Sequence, residues 1–127
     1  MPRIMLIEDD LITREIYNSL LSQHQYEVVM ATELRTAWNK LQTDAVEAAL
    51  MDMVIPDVHG LELLRNVRAH KDLKALPVIV YTSLFTPAVV EGAQEAGATR
   101  VFDKALLSPD KLLDAIKECL IPRQEAA

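Results

Sequence analysis

Residues 3–10 read Arg3-Ile4-Met5-Leu6-Ile7-Glu8-Asp9-Asp10, an apolar run that stops abruptly at three acids. The run is far shorter than the roughly 20 residues a membrane helix needs, and it reads as a buried strand. Similar runs recur at Glu27–Met30, Ala48–Met51, Pro77–Tyr81 and Thr99–Phe102. Between them lie longer segments with helical spacing, and that alternation predicts a parallel sheet covered by helices on both faces.

The first helical segment carries Ile12, Ile16 and Leu20, the second Leu34, Ala37, Trp38 and Leu41, and the third Leu61, Leu64 and Val67. Each set is expected to bury one stripe. Val89, Ala93 and Ala96 mark a fourth helix, and Leu112, Leu113, Ile116 and Leu120 a fifth. Thr86-Pro87 and Ser108-Pro109 each place a capping hydroxyl before a proline at the first helical position, and Gly97 is a suitable stop for the fourth helix. Right-handed crossovers then give an open, doubly wound α/β sheet, in which ligands bind beyond the carboxyl ends of the strands.

The chain of 127 residues is one domain's worth of sequence and can bury a core without cross-links. We expect a domain over residues 1–121 and a short frayed tail over 122–127; a tail this brief after Leu120 fits a whole protein. Thirteen Lys and Arg against 19 Asp and Glu give a net charge of −6, which repels nucleic acid and anionic membranes unless a basic patch is segregated, and no such patch is visible. Cys119 is the sole cysteine, so an intramolecular disulfide is excluded and a reducing compartment fits. With no secretory leader pattern at Met1-Pro2-Arg3, the expected location is cytoplasmic.

The strand ends carry the chemistry. Strand one ends in Glu8-Asp9-Asp10, strand three in Asp52, strand four in Thr82-Ser83 and strand five in Asp103-Lys104. On one sheet edge these acids crowd together, and two like charges about 4 Å apart repel by roughly 4 kcal/mol at an effective dielectric near 20. A cation relieves that repulsion, and hard carboxylate oxygens suit Mg²⁺, which leaves coordination positions for water and a phosphate oxygen. Glu8, Asp9 and Asp52 then balance a divalent ion plus Lys104. A phosphoryl group on Asp52 adds about one further negative charge, for which Lys104 and Thr82 are available. Such a site suits an acyl phosphate on an aspartate.

Together, Ile7-Glu8-Asp9-Asp10, Met51-Asp52 followed by Ile55-Pro56-Asp57 and Gly60, Tyr81-Thr82-Ser83, Ala96-Gly97-Ala98 and Lys104 resemble the receiver domain of two-component response regulators, of the stand-alone type. The resemblance runs from Arg3 to about Leu120. It implies a flavodoxin-like (βα)5 sheet of strand order 2-1-3-4-5. It implies that Asp52 accepts a phosphoryl group from a histidine kinase or histidine phosphotransfer protein, with Mg²⁺ as cofactor. The metal would be held by Glu8, Asp9, Asp52 and the backbone carbonyl of Val54, with Asp9 the direct ligand; Asp10 and Ser83 would stand one layer out. Thr82 matches the switch hydroxyl and Lys104 the lysine that pairs with the phosphoryl group. Output would pass to a downstream protein through the face of the fourth helix, fifth strand and fifth helix, including Val90, Glu91, Gln94, Arg100, Lys111 and Lys117, in a monomer or a phosphorylation-dependent dimer. The family promotes only its own phosphorylation and dephosphorylation.

Two features depart from that pattern. Ala105 follows Lys104 where the family usually has a cis proline, and a cis bond to a non-proline costs about 2.5–4 kcal/mol. Val101 stands where the family's switch aromatic normally sits, and Phe102 should face the opposite side of the sheet. These favour the alternative of a pseudo-receiver that binds protein without phosphorylation. A phosphatase of the haloacid dehalogenase type would need a second aspartate two places after Asp52, where Val54 stands. Val54 and Leu84 occupy positions that in receivers influence attack by water, and neither can orient a nucleophilic water. Asp57 and Gly60 are read as shaping the loop after Asp52. His24, His59 and His70 lack metal-ligand spacing and are read as exposed; Trp38 and Cys119 are read as structural.

Overall fold

Five short strands lie side by side in parallel, the central three buried along nearly their whole length and the two edge strands partly exposed. A computed structural model of the chain describes residues 1–53 and 60–126, with side chains as far as Leu120. The elements are β1 (Arg3–Ile7), α1 (Leu11–Gln23), β2 (Glu27–Ala31), α2 (Leu34–Thr43), β3 (Ala48–Asp52), α3 (Gly60–Ala69), β4 (Val78–Thr82), α4 (Pro87–Ala96), β5 (Arg100–Asp103), a 3-10 turn η1 (Lys104–Leu106) and α5 (Pro109–Ala126). The sheet order is β2-β1-β3-β4-β5, all parallel. This is the doubly wound, flavodoxin-like arrangement. Against the sequence reading, β2 and β3 each run one residue further, and β4 and β5 are each shifted forward by one residue.

Alternation along the strands splits the core in two. Met5, Ile7, Ala49, Met51, Val78 and Val80 pack with α2, α3 and α4, whereas Ile4, Leu6, Ala48, Leu50, Ile79 and Tyr81 pack with α1 and α5. Burying a Leu, Ile or Val side chain contributes about 1.5–3 kcal/mol, so the fully buried stretch Ile4–Ile7 anchors the sheet. Val101 joins the first cluster and Phe102 the second, the opposite-sided placement expected from period 2.

Caps and stops follow the sequence. Thr86 Oγ1 accepts from Val89 N–H and Ser108 Oγ from Lys111 N–H. Gly97 ends α4 at φ 111°, a left-handed conformation that glycine adopts without steric cost.

Three expectations need correction. Ile12 and Ile16 are exposed on α1, and its buried side is made by Leu21, with Tyr17 and Leu20 packed alongside. The stripes 12-16-20 and 17-20-21 are neighbours on one helix, and apolar spacing alone does not choose between them. The helix α5 continues through Pro122 to Ala126, past the start of the expected frayed tail; a proline within a helix removes one backbone hydrogen bond, and the following Gln, Glu and Ala favour helix. His70, read as exposed, is half-buried and meets Trp38 edge-on with centroids 5.9 Å apart.

Candidate functional site

Strand register places the site. Ile7 pairs with Met51, and Asp52 pairs with Tyr81 on β4, so Glu8, Asp52 and Tyr81 form one rung across three adjacent strands. One step further along, Thr82 pairs with Asp103, and Lys104 follows directly in η1. The rung faces the α1 and α5 side of the sheet, where Tyr81 packs.

Glu8, Asp9 and Asp52 each present a carboxylate oxygen within 4.8 Å of the others. Glu8 is fully buried and Asp52 is 6% exposed, while Asp9 opens to solvent. Lys104 reaches in from the β5 side: its Nζ lies 3.9 Å from Glu8 Oε1 and 3.8 Å from Asp52 Oδ2. Asp103 fixes the turn that carries this lysine by accepting from Ala105 N–H at 3.0 Å. No peptide bond among the described residues is cis, so Lys104-Ala105 is trans.

The remaining expected residues take separate positions. Thr82 is fully buried, and its Oγ1 accepts from Leu84 N–H at 3.0 Å. Asp10, expected one layer out from the metal, turns its carboxylate to the start of α1, where it accepts from Thr13 N–H at 2.9 Å. That contact holds Asp10 below the usual carboxylate range, and only its backbone N–H serves the site, donating to Glu8 Oε2 at 3.0 Å. Ser83 is exposed at the bend after β4. Val54, Asp57 and His59 lie outside the described residues.

Sequence reading overlooked Tyr81 as a site residue. Its hydroxyl donates to Glu8 Oε1 at 2.6 Å, its ring meets Tyr17 edge-on, and Lys104 Nζ stands 5.8 Å from its centroid. Burial raises the Glu8 pKa above its ordinary value, against the lowering effect of the Tyr81 and Asp10 hydrogen bonds; nearby Asp52 raises it further and Lys104 lowers it. Burial, and then the Glu8 carboxylate, hold the Tyr81 phenol far above its usual range, so it is a permanent donor.

Three carboxylates and a lysine from three strand ends form a pocket whose donors are all hard oxygens, the set that Mg²⁺ accepts. Residues 4–117 match the family model described as the response regulator receiver domain. The chain belongs to the response regulator receiver family. The receiver is 31% identical over 104 residues to the chemotaxis protein CheY1 of Helicobacter pylori, covering 80% of this chain and 84% of that protein. It superimposes on a CheY-like response regulator receiver domain protein from Methanospirillum hungatei with TM-score 0.89 and 28% identity, covering 100% of this chain and 99% of the other. It is also 31% identical over 83 residues to the two-component response regulator-like PRR37 of Oryza sativa, matching 64% of this chain but spanning only 11% of that protein's length. Receivers are signalling modules of two-component systems, and this one has the acidic pocket of its family. No helix among the described residues is long and apolar enough to cross a membrane.

Proposed function

We propose that this receiver accepts a phosphoryl group on Asp52 from a phosphohistidine partner, a histidine kinase or a histidine phosphotransfer protein, and thereby changes its affinity for a downstream protein. The observation that carries the reading is the placement of Lys104 Nζ beside both Glu8 and Asp52, at the mouth of a three-carboxylate cluster. An Asp52 carboxylate oxygen attacks phosphorus, the donor's P–N bond breaks, and the imidazole nitrogen keeps the electron pair. Glu8, Asp9 and Asp52 are the side chains that would hold Mg²⁺; when bound, the ion offsets the negative charge that gathers on the phosphoryl oxygens.

Lys104 supplies a fixed positive charge for the aspartyl phosphate, and Thr82 supplies a hydroxyl. In the resting protein Thr82 Oγ1 is engaged by Leu84 N–H; a phosphoryl oxygen within reach of the hydroxyl competes for its orientation and draws on the β4–α4 turn. That turn carries the exposed Leu84 and Phe85. Phe85 lines a groove of about 430 Å³ with Val101, Phe102, Leu106 and Lys111. The output face proposed for a downstream protein includes this groove and the half-buried Val90, with Glu91, Gln94, Arg100, Lys111 and Lys117 exposed around it. We place the protein in the cytoplasm, as a monomer or as a dimer formed on phosphorylation.

The test is incubation with a small acyl-phosphate donor, with and without Mg²⁺, read by intact mass. The proposal expects one added phosphoryl group, dependent on Mg²⁺ and absent in Asp52→Asn. No uptake from small donors or from phosphorylated kinases would instead support a pseudo-receiver, the reading that Ala105 and Val101 favour.

A further inference from the structure

Tyr81 is fully buried, yet its polar end is spent entirely on one carboxylate oxygen of the metal cluster. Glu8 Oε1 accepts the Tyr81 hydroxyl at 2.6 Å, and Glu8 Oε2 accepts Asp10 N–H at 3.0 Å. The first distance lies in the short range of a charge-assisted O–H to carboxylate bond. With one donor on each oxygen, the plane of the Glu8 carboxylate is fixed. The Tyr81 ring is itself held: Tyr17 packs edge-on with centroids 5.3 Å apart, and Lys104 Nζ stands on its other contact at 5.8 Å. One side chain therefore touches both the acid on the metal side of the pocket and the lysine on the phosphoryl side. Without the hydroxyl, Glu8 Oε1 is left with the Lys104 ammonium 3.9 Å away, a cation it shares with Asp52 at 3.8 Å, and loses the donor that fixes its direction.

We propose that Tyr81 is a positioning residue for the cation: its hydroxyl aims Glu8 into the cluster, and so sets the Mg²⁺ affinity of this receiver. The inference rests on the reading of Glu8, Asp9 and Asp52 as the metal-holding set. Groups that orient a ligand from behind typically change metal affinity about 10- to 100-fold when removed. Because Tyr81 lies on the rung of Glu8 and Asp52, it acts through Glu8 rather than through the phosphoryl group.

The experiment is Mg²⁺ titration by calorimetry of the unphosphorylated wild type, Tyr81→Phe and Asp9→Asn. Phenylalanine keeps the ring and its contacts with Tyr17 and Lys104. The expected result is a Mg²⁺ dissociation constant raised about tenfold in Tyr81→Phe. A variant that melts earlier but binds Mg²⁺ as the wild type does would show a purely structural hydrogen bond and overturn the inference alone. A wild type that binds no Mg²⁺ would overturn it together with the metal reading. A second measurement needs no variant: in wild-type protein carrying ¹³Cζ-tyrosine, Mg²⁺ should shift the Tyr81 resonance and leave Tyr26, at the opposite end of the sheet, unmoved. A Tyr81 resonance indifferent to saturating Mg²⁺ would overturn the proposal even if Tyr81→Phe failed to fold.

Discussion

Lys104 Nζ lies 3.8 Å from Asp52 Oδ2, so a monovalent cation already shares the carboxylates that a divalent one would use. The two cations repel each other. Under the proposed function the lysine would have opposite effects on the two stages of the cycle, weakening metal binding and strengthening the hold on a phosphorylated aspartate.

Lys104→Ala should bind Mg²⁺ about three- to tenfold more tightly, a change of ~0.7–1.4 kcal/mol for removing one nearby charge from a partly solvated site. The same variant should still take up a phosphoryl group but lose the change in partner affinity that follows. Calorimetry with Mg²⁺ and a binding assay of the phosphorylated protein check the two halves; unchanged or weaker Mg²⁺ affinity would show that the lysine does not oppose the metal.

With Glu8 in the proposed metal-holding set, proton and metal should compete for it. Burial raises its pKa, so the folded state holds the proton more tightly than the unfolded chain does. The stability this contributes is fully present below the ordinary glutamate value and is lost as pH rises through the raised one. Mg²⁺ acts in the other direction, binding the ionised form. Its affinity should rise as pH climbs through the Glu8 titration and fall as pH drops back through it. At about a hundred times the dissociation constant, Mg²⁺ should stabilise the fold by about 2.7 kcal/mol, and Asp9→Asn should lose most of that gain. Melting curves with and without Mg²⁺ across pH measure it, with Glu8→Gln flattening the pH dependence.

Gly97 bears on the orientation of α4. A Cβ at this position would lie 2.5 Å from Arg68 Cγ and 2.8 Å from its Nε, on top of the strain of a positive φ. Arg68 donates to the carbonyls of Gly97, Lys74 and Leu76, tying α3 to the entry of β4 and the exit of α4. Gly97→Ala should cost about 1–3 kcal/mol, seen as a lower urea midpoint with unchanged slope.

Leu84 stands at the solvent edge of the site, 56% exposed, with a side chain that neither accepts nor donates a proton. The aspartyl phosphate should accordingly hydrolyse slowly, since nothing on this side chain orients an attacking water. Timing its decay after donor removal checks this; loss within seconds would contradict it.

How much of this was legible in the sequence varies by element. Parallel strands covered on both faces announce themselves as apolar runs, so the sheet and the acids at its edge could be read from the residues, whereas the strand order came only with the family resemblance. Tyr81 was hidden because it ends such a run and looks like core; only the register that sets Asp52 opposite it, one strand away from Glu8, shows that its hydroxyl reaches an acid. Asp10 has two parts to play that sequence cannot separate, because an acid beside an acidic pair and an acid at a helix start look alike: its N–H donates to Glu8 while its carboxylate accepts from Thr13 N–H. The outward turn of Ile12 and Ile16 depends on how α1 rolls against β1, which Tyr17 settles by packing on Tyr81.

The most direct measurement of the central claim is chemical trapping of the phosphorylated site. Protein treated with a small acyl-phosphate donor and Mg²⁺ is reduced with borohydride, which converts an aspartyl phosphate to homoserine, and is then mapped by peptide mass spectrometry. Homoserine at position 52, with Asp9 and Asp10 unchanged and no conversion when Mg²⁺ is chelated, is the predicted result. Conversion at another acid, or none under conditions where Mg²⁺ is bound, would contradict it.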